Sequence, residues 1–91
     1  MKIFGIDYDQ TYSDDPELFD AFIKIARSRG HHVVIVTFRE ETQPINVEGI
    51  EIFYTAGKHK APYMRSIGYE PDIWIDDYPE LIGDTRGRDA L

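Results

Sequence analysis

The segment Val33-Val34-Ile35-Val36 constrains the fold more than any other feature of this chain. An unbroken run of β-branched aliphatic residues is typical of an interior strand in a parallel sheet that is covered on both faces. Parallel strands need long crossover connections, which are usually helices packed on the sheet. The segment therefore predicts an α/β architecture.

Three other short apolar runs predict strands at residues 3–6, 50–54 and 72–75. A helix is predicted to begin near Pro16, after residues that can cap it, and to end at Gly30. A shorter helix is predicted over residues 60–67, followed by Gly68. Residues 40–49 include Pro44 and predict a loop or a short irregular helix.

This alternation predicts one domain over residues 1–91, with a flexible tail from about residue 83. We expect a Rossmann-like three-layer sandwich with a mainly parallel sheet of about four strands. Ligands of such open sheets bind outside the carboxyl ends of the strands. The functional residues are therefore expected where the predicted strands end.

Charge and cysteine content exclude several function classes. The chain has 17 acidic and 10 basic residues and a formal net charge of −7, which argues against a general electrostatic grip on nucleic acid or a membrane surface. A phosphate-bearing partner would need a metal bridge. The absence of cysteine excludes thiolate metal sites and cysteine nucleophiles. The first six residues are too few for a signal peptide or a membrane span, so a cytoplasmic location is expected.

Two pairs of aspartates follow two of the predicted strands. Asp7 and Asp9 leave the first strand one residue apart, so both side chains are expected to face one pocket. Asp76 and Asp77 leave the last predicted strand. Clustered carboxylates repel one another and are suitable ligands for Mg²⁺. The sequence thus predicts a Mg²⁺ site at this edge of the sheet.

Four motifs in order resemble those of the haloacid-dehalogenase-like (HAD) superfamily. The segment Phe4-Gly5-Ile6-Asp7-Tyr8-Asp9-Gln10-Thr11 resembles the first motif, and Val34-Ile35-Val36-Thr37 resembles the second. Lys60 is suitably placed for the lysine of the third motif, and Trp74-Ile75-Asp76-Asp77 resembles the fourth. The resemblance covers residues 3–78, which is most of the chain.

The resemblance implies a Mg²⁺-dependent phosphatase that forms an aspartyl phosphate. Asp7 is expected to be the nucleophile and a metal ligand. Asp9 is expected to be the general acid and base, and to bind the metal through its backbone carbonyl. Asp77 is expected to bind the metal, with Asp76 as a further or supporting ligand.

The same resemblance assigns phosphoryl binding to Thr37 and a lysine. Lys60 is preferred because Lys-Ala-Pro is similar to the Lys-Pro that opens this helix in many relatives, and Lys58 is the alternative. Gln10 departs from the pattern, since many family phosphatases have glycine there. Arg39 is close enough to contact a substrate, but a surface ion pair with Glu40 or Glu41 is preferred.

The motif spacing leaves no room for the cap domain that covers the site in many relatives. Five residues separate Thr11 from Glu17, and 22 separate Thr37 from Lys60. We therefore expect a capless core. Because the chain stops soon after the fourth motif, the usual fifth strand is also expected to be missing. Its open site would admit a bulky phosphorylated substrate, such as a nucleotide or a macromolecular end, or would be covered by a second copy of the chain.

Two other functions are compatible with these residues. A non-catalytic phosphate- or nucleotide-binding module could retain the scaffold, and Gln10 and the short core favour it. A receiver-type phosphoacceptor domain also uses aspartates, threonine and lysine around Mg²⁺. Receivers place the phosphorylated aspartate at a later strand end, and no lone aspartate follows Tyr54 at the end of the third predicted strand.

Overall fold

The fold is a parallel β-sheet flanked by two helices. The computed structural model describes residues 1–87 and the backbone of residues 89–90. Its strands, in the order β3-β2-β1-β4-β5, are all parallel. They are β1 (Ile3–Ile6), β2 (His32–Thr37), β3 (Glu51–Tyr54), β4 (Ile73–Ile75) and the two-residue β5 (Asp89–Ala90). The predicted α/β class and the four predicted strands are confirmed.

The first helix begins and ends at the predicted signals. Helix α1 spans Pro16–Ser28, with Pro16 in its first turn, and the Asp15 carboxylate accepts a hydrogen bond from the backbone N–H of Leu18 at 3.2 Å. Gly30 has a φ of +84°, a left-handed conformation in which glycine carries no Cβ penalty. These local interactions let a short sequence segment define both ends of the helix.

The two helices cover opposite faces of the sheet. Alternate residues of a strand point to opposite faces, and β2 shows this directly. Val33 and Ile35 pack with the buried residues of α1, whereas Val34 and Val36 pack with the buried residues of α2 (Lys60–Ser66). The uninterrupted aliphatic run of β2 is therefore buried on both faces, and the three predicted layers are present.

The connection from β2 to β3 contains no helix. Residues 38–50 are all described and form turns and irregular backbone, in agreement with the loop alternative for this region. The backbone N–H of Ile45 donates to the hydroxyl of Tyr54 at 2.9 Å, which ties the loop to β3. Across the described residues, neither helix is long and apolar enough to cross a lipid bilayer.

The prediction that the fifth strand is missing was wrong. β5 pairs with β4 in parallel, with Ile73 opposite Asp89 and Trp74 opposite Ala90. The start of the predicted flexible tail is bonded to α2, since Nη2 of Arg65 donates to the carbonyl of Asp84 at 2.8 Å. The rest of that prediction falls partly on Arg88 and Leu91, which lie outside the described residues.

The strand order places β1 in the middle of the sheet, between β2 and β4. The chain runs outward from β1 to β2 and β3, and then returns to the other side of β1 for β4. The order therefore reverses between β1 and β4, and a crevice opens outside their carboxyl ends. Asp7 follows β1 directly and Asp76 follows β4 directly, so both residues flank this crevice.

Gly5 in β1 is expected to be sensitive to the addition of a single methyl group. An ideal Cβ at this position would lie 2.8 Å from Cγ of Pro71 and 3.2 Å from Cε3 of Trp74. Gly5→Ala should lower the free energy of unfolding by about 1–3 kcal/mol, because a well-packed site must shift to admit the methyl group. Urea unfolding measures the loss.

Removing the proline ring provides the control for this prediction. Pro71→Ala takes away Cγ, the nearest atom, so the double variant should lose less stability than the sum of the two single variants. Strict additivity of the two losses would contradict the proposed steric cause.

Candidate metal and phosphate site

A compact group of charged residues lies at the carboxyl ends of β1 and β4. The backbone N–H of Asp7 donates to the carbonyl of Ile75 at 2.9 Å, which continues the β1–β4 pairing to the last residue of β4. Asp7 is thereby held beside Asp76 and Asp77, the two residues that follow Ile75. Asp7 and Asp76 are 8% and 7% exposed, respectively, whereas Asp77 is exposed.

The Lys60 ammonium group connects these strand ends. Its Nζ atom lies 2.7 Å from Oδ1 of Asp7 and 2.6 Å from Oδ2 of Asp76, and the lysine is 1% exposed. A buried charge is tolerated when it is paired and hydrogen-bonded. Lys60 therefore offsets the charge of two carboxylates that would otherwise repel each other in a desolvated site.

A short turn after β3 positions Lys60 at the start of α2. The hydroxyl of Thr55 donates to the carbonyl of Lys58 at 2.8 Å, and the N–H of Lys58 donates to the carbonyl of Thr55 at 3.1 Å. Thr55 also donates its own N–H to the carbonyl of Thr37 at 2.9 Å. The end of β2 thus supports the turn that delivers Lys60, while Lys58 is exposed.

Thr11 is a member of the site for which the sequence predicted no separate role. Its Oγ1 atom lies 3.1 Å from Oδ2 of Asp7 and 3.2 Å from Oδ1 of Asp77, and it accepts a hydrogen bond from the Asp77 N–H. A hydroxyl has one proton and donates to one of these carboxylates at a time. The sequence held a signal for its membership of the site, because Thr11 is the threonine of the DxDxT pattern.

Asp7, Asp76 and Asp77 could hold a metal ion. One carboxylate oxygen from each lies within 4.8 Å of the others, and this is the group of potential ligands found among the described residues. Three carboxylates and Lys60 leave a formal local charge of −2, which favours a divalent cation. Oxygen-only donors suit hard cations such as Mg²⁺ or Ca²⁺ better than soft ones. The residues present therefore fit such an ion.

Burial raises the pKa of Asp7 from 3.8 to about 6. Desolvation is the largest cause, and the hydrogen bond and charge of Lys60 oppose it without cancelling it. The ionised form of Asp7 is thus held at an energetic cost to the folded protein. Such a cost is common where a carboxylate has a chemical task.

The Asp9 carboxylate lies outside the three-carboxylate group. Both of its oxygens accept hydrogen bonds from Arg39, from Nε at 2.9 Å and from Nη2 at 2.7 Å. The strand alternation behind our expectation for Asp9 stops at Ile6, because a turn begins at Tyr8. The Arg39 hydrogen bonds lower the pKa of Asp9. The expected pairing of Arg39 with Glu40 or Glu41 is replaced by this contact.

Two other predicted positions have clear local roles. Thr37 ends β2 fully buried, and its hydroxyl oxygen accepts the backbone N–H of Arg39 at 3.2 Å, which leaves the hydroxyl proton free to be donated. Gln10, which stands where relatives of the resembled family often have glycine, has a φ of +62°. The turn therefore keeps a left-handed conformation despite the side chain. The Gln10 N–H donates to the Ser13 hydroxyl at 3.0 Å.

Comparison with protein-family models, with curated proteins and with solved structures gave no match to this chain.

Lys60 should be essential to the stability of the folded protein. Lys60→Met leaves Asp7 and Asp76 buried without their cation, so the free energy of unfolding without divalent metal should fall by about 3–5 kcal/mol. Lys58→Met is the matched control, since Lys58 is exposed and should change stability by less than about 0.5 kcal/mol. Equal losses in the two variants would contradict the assigned role of Lys60.

Asp7→Asn should stabilise the metal-free protein at neutral pH. The pKa of Asp7 is higher in the folded state than its ordinary value of 3.8, so the ionised group opposes folding above about pH 6. The gain in unfolding free energy should reach up to about 3 kcal/mol at pH 7.5. It should shrink as the pH falls from 6 to 4, where Asp7 becomes protonated in both states.

Urea unfolding with a chelator present measures this pH dependence. Asp14→Asn serves as the control, because Asp14 is an exposed acid outside the three-carboxylate group. A gain of the same size in the control, or a gain that persists at pH 4, would contradict the burial argument.

Proposed function

We propose that this protein is a Mg²⁺-dependent phosphohydrolase that acts on phosphate monoesters through an aspartyl phosphate on Asp7. The observation that carries the proposal is the contact of Lys60 with Asp7 and Asp76, beside Asp77, at one sheet edge. These residues come from three of the four motifs that resemble the HAD superfamily. The remaining one, the second motif, contributes Thr37 at the end of the neighbouring strand β2.

The carboxylates of Asp7, Asp76 and Asp77 would hold the Mg²⁺ ion, together with the backbone carbonyl of Asp9. Bound Mg²⁺ would offset negative charge between the nucleophile and the phosphoryl group. The local charge of −2 supports this assignment, because a dianionic phosphate would otherwise approach an anionic site. Thr11 would orient two of the ligands, since its hydroxyl lies next to both Asp7 and Asp77.

Asp7 would attack phosphorus with a carboxylate oxygen. The new bond joins this oxygen to phosphorus while the bond from phosphorus to the leaving oxygen breaks. Water then attacks the same phosphorus, the bond to Asp7 breaks, and inorganic phosphate leaves. The burial of Asp7 supports this role, because a poorly solvated carboxylate is a stronger nucleophile than an exposed one.

Asp9 would transfer the protons of both steps. It gives a proton to the leaving oxygen in the first step and takes one from the attacking water in the second. Lys60 and the Thr37 hydroxyl would bind the phosphoryl oxygens, where Lys60 partly exchanges its carboxylate contacts for the phosphate. The buried position of both groups supports this assignment, because it fixes them before substrate arrives.

The open surroundings of the site favour a bulky substrate. Residues 12–15, between Thr11 and α1, and residues 38–50 are both too short to form a covering domain. A nucleotide, a macromolecular end, or an ester that is covered by a second copy of the chain would fit this arrangement. On the same grounds we propose that the protein belongs to the capless part of the HAD superfamily. We also propose a cytoplasmic location, because nothing in the cysteine-free sequence requires an oxidising compartment.

One observation favours a second function, a non-catalytic phosphate- or nucleotide-binding module. The Arg39 guanidinium group engages both oxygens of Asp9 and lowers its pKa. A general acid works best with a pKa near the working pH, whereas the contact with Arg39 moves the pKa of Asp9 further below that range. A protein that keeps this pair closed would bind phosphate without turnover.

Hydrolysis of para-nitrophenyl phosphate with and without Mg²⁺ tests the main proposal. We expect turnover that needs Mg²⁺ and that falls by a factor of about 10³ or more in Asp7→Asn, because the nucleophile is lost. Asp14→Asn is the matched control and should retain the activity. Equal turnover in Asp7→Asn and the unmodified protein would contradict the nucleophile assignment.

The two candidate functions differ in one measurement. Calorimetry of tungstate, a phosphate mimic, should show Mg²⁺-dependent binding for either function. Binding of tungstate without hydrolysis of any ester in a broad panel would favour the non-catalytic module. Absence of both binding and turnover would exclude both functions.

A further inference from the structure

Arg39 lies next to Asp9, beside the proposed site, and about one third of its side chain is exposed. The guanidinium group contacts Asp9 through two hydrogen bonds, and the side chains of Arg39 and Asp9 are 32% and 51% exposed. An ion pair this exposed contributes little to stability, because water screens the two charges and the side chains lose freedom when they pair. An incoming anion can therefore replace Asp9 as the partner of Arg39 at small cost.

The other contacts of Arg39 do not depend on Asp9. Its Cζ atom lies 5.2 Å from the centre of the Tyr8 ring, and its Nη1 donates to the carbonyl of Gln43 at 3.4 Å. Its backbone N–H donates to Thr37, and its carbonyl accepts from Ala56. Arg39 would thus keep its place against Tyr8 and the 38–50 loop when Asp9 turns away.

The two cations of the site are not equivalent toward a substrate. Lys60 is 1% exposed and already bonded to two carboxylates, whereas the Arg39 side chain is only partly buried. The planar fork of an arginine suits bidentate binding of carboxylate or phosphate. Asp9 now fills this fork with a carboxylate, which shows the kind of group that the fork accepts.

We propose that Arg39 recognises a second anionic group on the leaving part of the substrate, and that this group frees Asp9 by taking its place in the guanidinium fork. The proposal rests on the proposed function, since it deepens the substrate class of the same site. Asp9 acts at the leaving oxygen and Arg39 contacts Asp9, so the second anion belongs on the leaving group, a few bonds from the scissile oxygen. The substrate class is a phosphate monoester whose alcohol carries a carboxylate or a second phosphate.

A matched pair of esters tests the proposal. 3-Phosphoglycerate carries a carboxylate where glycerol 1-phosphate carries a hydroxymethyl group, and the two are otherwise alike. The unmodified protein should favour 3-phosphoglycerate in kcat/KM by at least about tenfold, the size expected for hydrogen bonds to a charged group. In Arg39→Gln the preference should fall to about one, and Arg39→Lys should restore part of it because charge returns without the fork.

Arg29→Gln controls for the loss of one positive charge. Arg29 is exposed at the end of α1, close to the amino end of β2 and so at the opposite edge of the sheet from the site. The preference of Arg29→Gln for 3-phosphoglycerate over glycerol 1-phosphate should equal that of the unmodified protein. Urea unfolding of each variant shows whether the fold is retained, and Arg39→Lys provides the readout if Arg39→Gln does not fold.

Affinity provides a measurement that does not require turnover. The two esters are titrated by calorimetry into Asp7→Asn in the presence of Mg²⁺, with and without the Arg39→Gln change. A preference in affinity for 3-phosphoglycerate that disappears with Arg39→Gln supports the role of Arg39 even if the unmodified protein hydrolyses no ester. The absence of hydrolysis would contradict only the phosphohydrolase function.

Three outcomes would overturn the role of Arg39. The first is hydrolysis of para-nitrophenyl phosphate with equal kcat/KM for the two esters, in which case the phosphohydrolase function stands. The second is an equal change in kcat/KM for both esters in Arg39→Gln. Arg39 would then restrain Asp9 without recognising an anionic group of the substrate. The third is the absence of both binding and turnover of either ester.

Discussion

The buried ammonium group of Lys60 is the interaction on which the site depends. It lies within 2.7 Å of carboxylate oxygens from Asp7 and Asp76, so it joins the ends of β1 and β4 to the first turn of α2. Two carboxylates at this depth would repel each other and oppose folding without a cation between them. Lys60 does not neutralise the whole group, because Asp77 adds a third carboxylate and the net charge stays negative. The arrangement that holds the ends of β1 and β4 together therefore also creates a binding site for a divalent ion.

Topology explains how so short a chain assembles this group. β1 is central, and the connections run first to one side and then to the other, so the crevice between β1 and β4 is formed by chain segments far apart in sequence. The missing helix between β2 and β3 has its own consequence. The loop at residues 38–50 carries Arg39 across to Asp9, and hydrogen bonds to Thr37 and from Ala56 fix its backbone there.

Most of the secondary structure followed from local signals. The aliphatic run of β2, the Asp15 cap and the left-handed Gly30 each act within a few residues, which is why their elements were predicted closely. β5 was missed because a two-residue strand has no sequence pattern of its own and exists only through its pairing with β4. The partner of Arg39 was missed for a similar reason, since Asp9 lies 30 positions away in the sequence whereas Glu40 and Glu41 follow Arg39 directly.

The sequence by itself determined the α/β class, the strand ends at which aspartates gather and the residues that were candidates for metal and phosphate binding. These properties depend on hydrophobic pattern and on residue type, which are local. The tertiary structure decided which candidates meet. It brought Lys60, and not Lys58, to Asp7 and Asp76, and it brought Thr11 between Asp7 and Asp77. It also turned Asp9 away toward Arg39, because side-chain direction after a strand is set by the turn and by charge partners that only folding supplies.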